Sequence, residues 1–167
     1  MTIADLRIRP ETPDLEQAIE QLADRAFGPG RHAKTSYRLR EGTSPIPALC
    51  LVACLGGRLV GTIRFSPILV GKARCLLLGP LAVEPELKGR GCGLALMREG
   101  LSRAYGKGFS RVILVGDLPY YARAGFSRVP GGRITLPGPV DPARLLWLEL
   151  RQGAFDGVAG MAAPDAT

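Results

Sequence analysis

The residues best suited to chemistry lie in one short stretch, where an apolar segment ends and Lys88-Gly89-Arg90-Gly91-Cys92-Gly93 leads into an amphipathic pattern. Glycine accepts positive φ angles and lets a ligand come close to the backbone. A helix that begins there presents unpaired N–H groups and the positive end of its dipole. With two basic side chains beside it, this loop is suited to bind a pyrophosphate.

Other phosphate-binding motifs do not fit this loop. The pattern GxxxxGK[ST] is absent, and GxGxxG fails in both registers because Leu94 and Leu96 stand where the third glycine is required. A turn that merely caps a helix needs one glycine, whereas this loop has three that alternate with Arg90 and Cys92.

The elements around the loop indicate one mixed α/β domain, residues 1–152. We predict strands at 6–9, 49–55, 58–70, 75–83, 111–115, 126–129 and 145–150, and helices at 12–27, 37–40, 93–106 and 119–124. Thr12 is the expected cap of the first helix. Gly79-Pro80 falls inside the fourth strand, and because proline cannot donate a ladder hydrogen bond, that strand is expected to be interrupted or bulged. Residues 153–167 are expected to form a flexible tail.

Composition narrows the function classes. The formal charge of +7 favours anionic ligands, but no run of five basic residues and no basic helix indicates nucleic acid binding. His32 is the only histidine and the four cysteines form no CxxC pair, so we expect no metal site. We expect three cysteines to be buried in strands and Cys92 to lie in a loop. No apolar run is long enough for a membrane span and no secretory signal is evident, so a cytoplasmic location is expected.

Two motifs carry a resemblance to a known family. Lys88 to Gly93 resembles the acetyl-CoA signature [RQ]xxGx[GA] of the GNAT superfamily of N-acetyltransferases, with Lys88 in place of the usual Arg or Gln. The stretch from Gly116 to Phe126 resembles the second landmark of the family, in which three residues separate a tyrosine from Gly-Phe. Its form, GD-x-x-YY-x-R-x-GF, is similar to that of the YhbS-like predicted acetyltransferases. The element order matches the family over roughly residues 6–150.

The resemblance implies a fold and a cofactor site. The fold would be a central, mostly antiparallel sheet of six to seven strands with one splayed strand pair, flanked by helices. The pantetheine arm of acetyl-CoA would lie in the splayed gap against the backbone of Leu81, Ala82 and Val83. The pyrophosphate would be bound by Lys88, Gly89, Arg90, Gly91, Cys92, Gly93 and Leu94.

The resemblance also implies catalytic roles. Tyr121 would be the general acid, and Tyr120, which points to a different helix face, would serve packing. The family asparagine that contacts the cofactor arm is replaced here by Gly116-Asp117. No carboxylate occurs within residues 75–83 to act as a base, and Glu84 is interpreted as a solvated loop charge. His32 and Glu41 fall in the expected acceptor loop and are interpreted as surface residues.

The implied activity is direct transfer of acetyl to a primary amine of a small molecule, a peptide or a protein. The alternative is a module of the same fold that binds or senses acyl-CoA without turnover. Neither a nucleic acid nor a membrane is an expected partner, and a homodimer is left open. The acceptor would be selected by residues 31–47 and 131–142, and the basic composition argues against a polycationic acceptor.

Overall fold

A twisted sheet forms the centre of the chain in this computed structural model, which describes residues 3–28, 30 and 35–166. Within those residues the strands are β1 (Arg7–Pro10), β2 (Leu51–Leu55), β3 (Arg58–Val70), β4 (Ala73–Val83), β5 (Arg111–Val115), β6 (Ser127–Arg128), β7 (Ile134–Thr135), β8 (Leu145–Glu149) and β9 (Gly160–Pro164). The helices are α1 (Glu16–Phe27), α2 (Thr35–Arg38), α3 (Cys92–Gly106) and α4 (Leu118–Tyr121).

The strand order is β1-β2-β3-β4-β5-β8-β6, with β9 added beside β3 and β7 beside β9. Along this seven-strand path every pair is antiparallel except β4 and β5. The parallel pair is brief, because only Leu76 and Leu77 of β4 align with Val112 and Ile113 of β5. Beyond that point the two strands are not paired, as expected for a splayed pair. The mixed α/β fold class is confirmed, but the sheet of the described residues has nine strands rather than six or seven, because β7 and β9 were not predicted.

The bulge expected at Gly79-Pro80 is present in β4. Ile63 of β3 faces Leu81, and Phe65 faces Leu78, so β4 uses one residue more than β3 over this interval. The strand continues through the irregularity to Val83. The missing donor of Pro80 gives the physical reason for the defect at this position.

The core forms on both faces of the sheet because neighbouring strand residues point to opposite sides. Leu76 belongs to the cluster that α3 covers, and Leu77 belongs to the cluster on the other face. The predicted apolar stripe of α3 is buried as expected: Leu94, Met97, Leu101 and Ala104.

Several element boundaries differ from the sequence prediction. A 3-10 turn occupies Pro13–Leu15, and Thr12 precedes this turn without making a side-chain cap. The next helix is Thr35–Arg38 rather than 37–40, and α4 gives way to a 3-10 turn at Ala122. Cys92 is the buried first residue of α3 rather than a loop residue. Such shifts at helix ends reflect the small energy difference between α and 3-10 turns.

The expectation of a flexible tail from Gly153 is wrong for the described residues up to 166. β9 pairs with β3 from Ile68↔Pro164 to Val70↔Ala162, and Phe155 is buried. The reason is that β2 pairs with β3 only as far as Ile63, so the outer edge of β3 is open beyond it. The C-terminal segment covers that edge.

The described part of the chain contains neither a membrane-spanning helix nor a cluster of metal ligands. None of its helices is long and apolar enough to cross a membrane. No three of its His, Cys, Asp or Glu side chains are grouped so that they could hold a metal ion.

Candidate functional site

The N-terminus of α3 forms an open backbone cradle. Gly89 and Gly91 have φ angles of +83° and +93°, and a Cβ added to either would meet no atom within 4 Å. The first helical hydrogen bond runs from the Ala95 N–H to the Gly91 carbonyl. The N–H groups of Cys92, Gly93 and Leu94 therefore have no acceptor within the helix. No side chain caps this end, so these donors can serve an anion.

Positive charge surrounds this cradle. Lys88 and Arg90 are both exposed at its rim. The acidic residue nearest in sequence, Glu86, pairs with Arg58, with Oε1 2.6 Å from Nη1. Together with the helix dipole, the two free rim cations create a local field that attracts phosphate groups.

The splayed end of β4 lies directly beside the cradle. Leu81, Ala82 and Val83 pair with β3 along one edge, whereas their other edge has no alignment with β5. A Cβ built on Gly93 would lie 3.5 Å from Cγ2 of Val83, which shows how closely the helix start approaches the strand end. The structure therefore brings the two sequence-predicted binding segments together in one place.

Tyr120 reaches the helix start rather than the core. A Cβ built on Gly93 would lie 2.0 Å from the Tyr120 hydroxyl oxygen, so only glycine leaves room for this side chain. The residue is 37% exposed, which differs from the packing role expected for it. Burial of its hydroxyl end raises the pKa of Tyr120, and the Cys92 thiol adds to this effect.

Tyr121 is largely buried beside the end of β5. Its ring covers Gly116, where an added Cβ would be 2.3 Å from Cε2, and it meets Phe126 edge-on with ring centroids 6.0 Å apart. Burial raises the pKa of Tyr121 to about 12, with Tyr120 and Asp117 adding to the shift. Its hydroxyl therefore stays protonated throughout the neutral range.

A wide depression of about 600 Å³ opens next to these tyrosines. It is lined by Asp117, Leu118, Pro119, Tyr120, Arg128, Ala143 and Arg144. Asp117 forms an ion pair with Arg144 across it, so the Gly-Asp pair that replaces the family asparagine contributes to this wall. Tyr121 is not among the lining residues.

Glu84 is not the solvated loop charge that we expected. The residue is only 4% exposed, and its Oε1 accepts two hydrogen bonds from Arg25 of α1, at 3.1 and 2.5 Å. Arg58 lies 3.8 Å from its other oxygen. Sequence reasoning missed Arg25 and Arg58 because nothing in their spacing indicates a shared partner.

The remaining candidate residues belong to the two loops expected to select the acceptor. Glu41 is exposed, as expected, and His32 lies outside the described residues. The two expected acceptor loops touch, because the Thr35 hydroxyl donates to the Pro139 carbonyl at 2.5 Å.

The cysteines show no sign of nucleophilic activation. All four are free, and Cys50, Cys75 and Cys92 are buried. Burial raises the pKa of each of these three thiols to about 11, so they are protonated at neutral pH.

Comparison with known proteins agrees with this geometry. Residues 16–126 match the family described as Acetyltransferase (GNAT) family. Escherichia coli YhbS, an uncharacterized N-acetyltransferase, is 31% identical over 157 residues, which is 92% of this chain and 93% of YhbS. Escherichia coli YjhQ, also an uncharacterized N-acetyltransferase, is 34% identical over 69% of this chain, which spans 66% of YjhQ.

Solved structures show the same similarity. Escherichia coli YhbS in complex with CoA has a TM-score of 0.82 and 28% identity, over 96% of this chain and 90% of that one. A Brucella melitensis GNAT family acetyltransferase in complex with acetyl-CoA has a TM-score of 0.63 and 31% identity, over 90% and 98% of the two chains.

Proposed function

Because the chain belongs to the GNAT family of acetyltransferases, we propose that it transfers acetyl from acetyl-CoA directly to a primary amine. The observation that carries this proposal is the opening between β4 and β5 beside the uncapped start of α3. In acetyl-CoA, an arm that contains amide groups joins the thioester to the pyrophosphate. The amides of the arm suit the open edge of β4, and the pyrophosphate suits the N–H donors of the cradle to which that edge leads.

The residues present fit acetyl-CoA along its length. The free edge of Leu81, Ala82 and Val83 offers backbone hydrogen bonds to the amides of the pantetheine arm. The side chains of Lys88 and Arg90 and the backbone from Gly89 to Leu94 would hold the pyrophosphate, except for the Arg90 N–H, which donates to the Leu87 carbonyl. Relatives of similar fold have been crystallised with CoA and with acetyl-CoA, which supports the same ligand here.

Direct transfer is favoured over a covalent acetyl-enzyme. Cys92 is the thiol at the cradle, and burial keeps its pKa at about 11. A protonated, buried thiol is a poor nucleophile. The incoming amine would therefore attack the thioester itself, which expels the thiolate of CoA.

Tyr121 is the proposed general acid. Departure of the thiolate is assisted by a group that donates a hydrogen bond or a proton to the sulfur. The ring of Tyr121 lies over Gly116, directly after β5, which flanks the opening, and burial keeps its hydroxyl protonated. No carboxylate within β4 serves as base, so the amine would lose its proton through ordered water.

Calorimetry with acetyl-CoA and an assay of free CoA release over a panel of amines test this function together. We expect micromolar binding, about −7 to −8 kcal/mol, and turnover with at least one amine. Absence of binding at millimolar acetyl-CoA would contradict the proposal. Tight binding without turnover on any amine would favour the alternative, a module that senses acyl-CoA.

A further inference from the structure

A second, smaller cavity lies at the β4 bulge, between β3 and β4 and the helices α1 and α2. Its volume is about 90 Å³, and its walls are Ile19, Glu20, Ala23, Tyr37, Arg40, Pro45, Thr62, Arg64 and Pro80. Pro80 belongs to the bulge itself, just before the strand edge proposed to hold the pantetheine arm. The cavity therefore adjoins the place where the acetyl group would be delivered.

Arg40 is the unusual residue in this cavity. Its Nε and Nη1 atoms are buried and have no hydrogen-bond partner among the residues that the structure describes. Its Nη2 lies 2.7 Å from the position that a Cβ on Gly79 would take, so the guanidinium lies directly against the bulge. The ring of Tyr37 holds it from the other side, with Cζ 4.5 Å from the ring centroid.

Tyr37 is the group that stabilises the charge of Arg40, through a side-chain hydrogen bond and its ring. Arg64 also faces the cavity, but its charge is met by Glu11, which accepts hydrogen bonds at 3.1 and 3.0 Å. The ion pairs of the described carboxylates Glu11, Glu84, Glu86, Glu99 and Asp117 are made with other arginines. Burial lowers the pKa of Arg40 to about 10; Tyr37 opposes this shift, Arg64 adds to it, and the group remains charged at neutral pH. The Thr62 hydroxyl is also buried, and no described residue forms a hydrogen bond with it.

A buried guanidinium with unpaired N–H groups is costly, and an anion is the partner that best offsets this cost. We propose that this cavity binds the carboxylate of the acceptor, and that the acceptor is a small amine of the amino-acid class. Arg40 would donate to the carboxylate from Nε or Nη1, and the Thr62 hydroxyl would donate a further hydrogen bond. This inference rests on the proposed function for the identity of the reaction.

Size and position favour an amino acid over larger acceptors. A cavity of about 90 Å³ accepts a carboxylate and a few carbon atoms, not a folded protein surface. An amine within two or three bonds of the carboxylate would lie beside the bulge, where β4 leaves β5.

Matched acceptors test the carboxylate. We expect free amino acids to raise the Tm of the CoA-loaded chain and to be acetylated, whereas their carboxamides and decarboxylated amines show at least tenfold lower kcat/KM. Phosphoethanolamine is included as an acceptor with a different anion. A preference for it, or equal use of acids and carboxamides, would overturn the inference.

Variants test the residue. Arg40→Gln should lower kcat/KM for amino acids by roughly 10- to 100-fold and abolish their effect on Tm, while acetyl-CoA affinity stays unchanged. Arg98→Gln, on the exposed face of α3, is the matched control and should change neither quantity. Without ligand, Arg40→Gln should be at least as stable as the parent chain, because it removes a buried unpaired charge. Loss of stability together with unchanged amino-acid binding would show a structural role and refute the proposal.

The Tm measurement separates this inference from the proposed function because it needs no turnover. Binding of amino acids that depends on Arg40, without acetylation, would support the cavity and contradict the enzyme. Acetylation of amines that lack a carboxylate, with no effect of Arg40→Gln, would support the enzyme and contradict the cavity.

Discussion

At the scale of single residues, the two neighbouring tyrosines occupy different environments. Tyr120 has its hydroxyl at Gly93 and lines the wide depression, whereas Tyr121 packs against Gly116 and Phe126. The proposed acid is thus the more buried of the two. Substitution by phenylalanine distinguishes them, because it removes only the hydroxyl and keeps the ring.

Tyr121→Phe should lower turnover by roughly 10²-fold or more with little change in acetyl-CoA affinity, as expected for loss of one proton-transfer group. Steady-state kinetics with a reactive amine and calorimetry measure the two quantities. If the turnover of Tyr121→Phe equals that of the parent chain while the turnover of Tyr120→Phe is reduced, the general acid is Tyr120.

The pH profile gives a second check on Tyr121. Burial raises its pKa, so the hydroxyl ionises only near pH 12. The rate should rise with pH as the acceptor amine loses its proton, and ionisation of this tyrosine should produce no descending limb below about pH 11. A descending limb near pH 9 to 10 that Tyr121→Phe removes would contradict the buried, protonated state.

Gly91 and Gly93 have different structural roles in the cradle. Gly91 supplies a positive φ with open space around it, whereas Gly93 leaves room for the Tyr120 hydroxyl. Gly91→Val should therefore abolish acetyl-CoA binding by both strain and obstruction of the phosphates. Gly108, at the other end of α3, has φ +92° and equally open surroundings. Gly108→Val is the matched control, because it introduces similar backbone strain away from the cradle. Its acetyl-CoA affinity, measured by calorimetry, should be unchanged. Equal loss in both variants would mean that backbone strain alone explains the effect.

At the scale of elements, Glu84 ties three pieces of structure together. It follows β4 directly and pairs with Arg25 of α1 and Arg58 of β3, just before the glycine loop. Arg25 is half exposed, so the pair is worth less than a fully buried one.

Arg25→Ala should lower the free energy of unfolding by about 1–2 kcal/mol, because a buried carboxylate loses its closest donor. Arg103→Ala, which breaks the exposed pair with Glu99 on α3, should cost no more than about 0.5 kcal/mol. Urea unfolding measures both. If both variants lose the same free energy of unfolding, the burial of Glu84 does not make its ion pair with Arg25 more stabilising than an exposed pair.

At the scale of the whole molecule, the C-terminal segment completes the sheet and one face of the core. Phe155 is 2% exposed and stacks on Trp147 of β8, with ring centroids 4.4 Å apart. Glu149 accepts a hydrogen bond from the Phe155 N–H at 2.7 Å, and Arg133 donates to the carbonyls of Phe155 and Val158. These contacts join β8, the loop before β7 and the chain end.

Phe155→Ala should therefore lower the free energy of unfolding by about 3–5 kcal/mol, the usual cost of deleting a buried aromatic ring. The neighbouring Asp156 is exposed, and Asp156→Ala should change stability by less than about 0.5 kcal/mol. Urea unfolding of both variants gives the comparison. A cost for Phe155→Ala as small as that of Asp156→Ala would restore the interpretation of this segment as a flexible tail.

The features that the sequence determined by itself are local. The positive φ of Gly89 and Gly91 and the bulge at Gly79-Pro80 follow from the backbone chemistry of glycine and proline, which needs no distant partner. The two long hairpin strands and α3 were also predicted nearly to the residue, because their apolar periodicity extends over many positions.

Tertiary structure alone decided the contacts between distant residues. Glu84 and Arg25 are 59 positions apart, and no pattern in either segment indicates that they meet. β9 is rich in glycine, alanine and proline, so its strand conformation comes from the open edge of β3 rather than from its own propensity. Arg40 lies in a cavity without a carboxylate partner among the described residues because of the way α1, α2, β3 and β4 pack together, which no local pattern indicates. Long-range pairing depends on the shape of the whole fold, and residue types and spacing do not encode that shape locally.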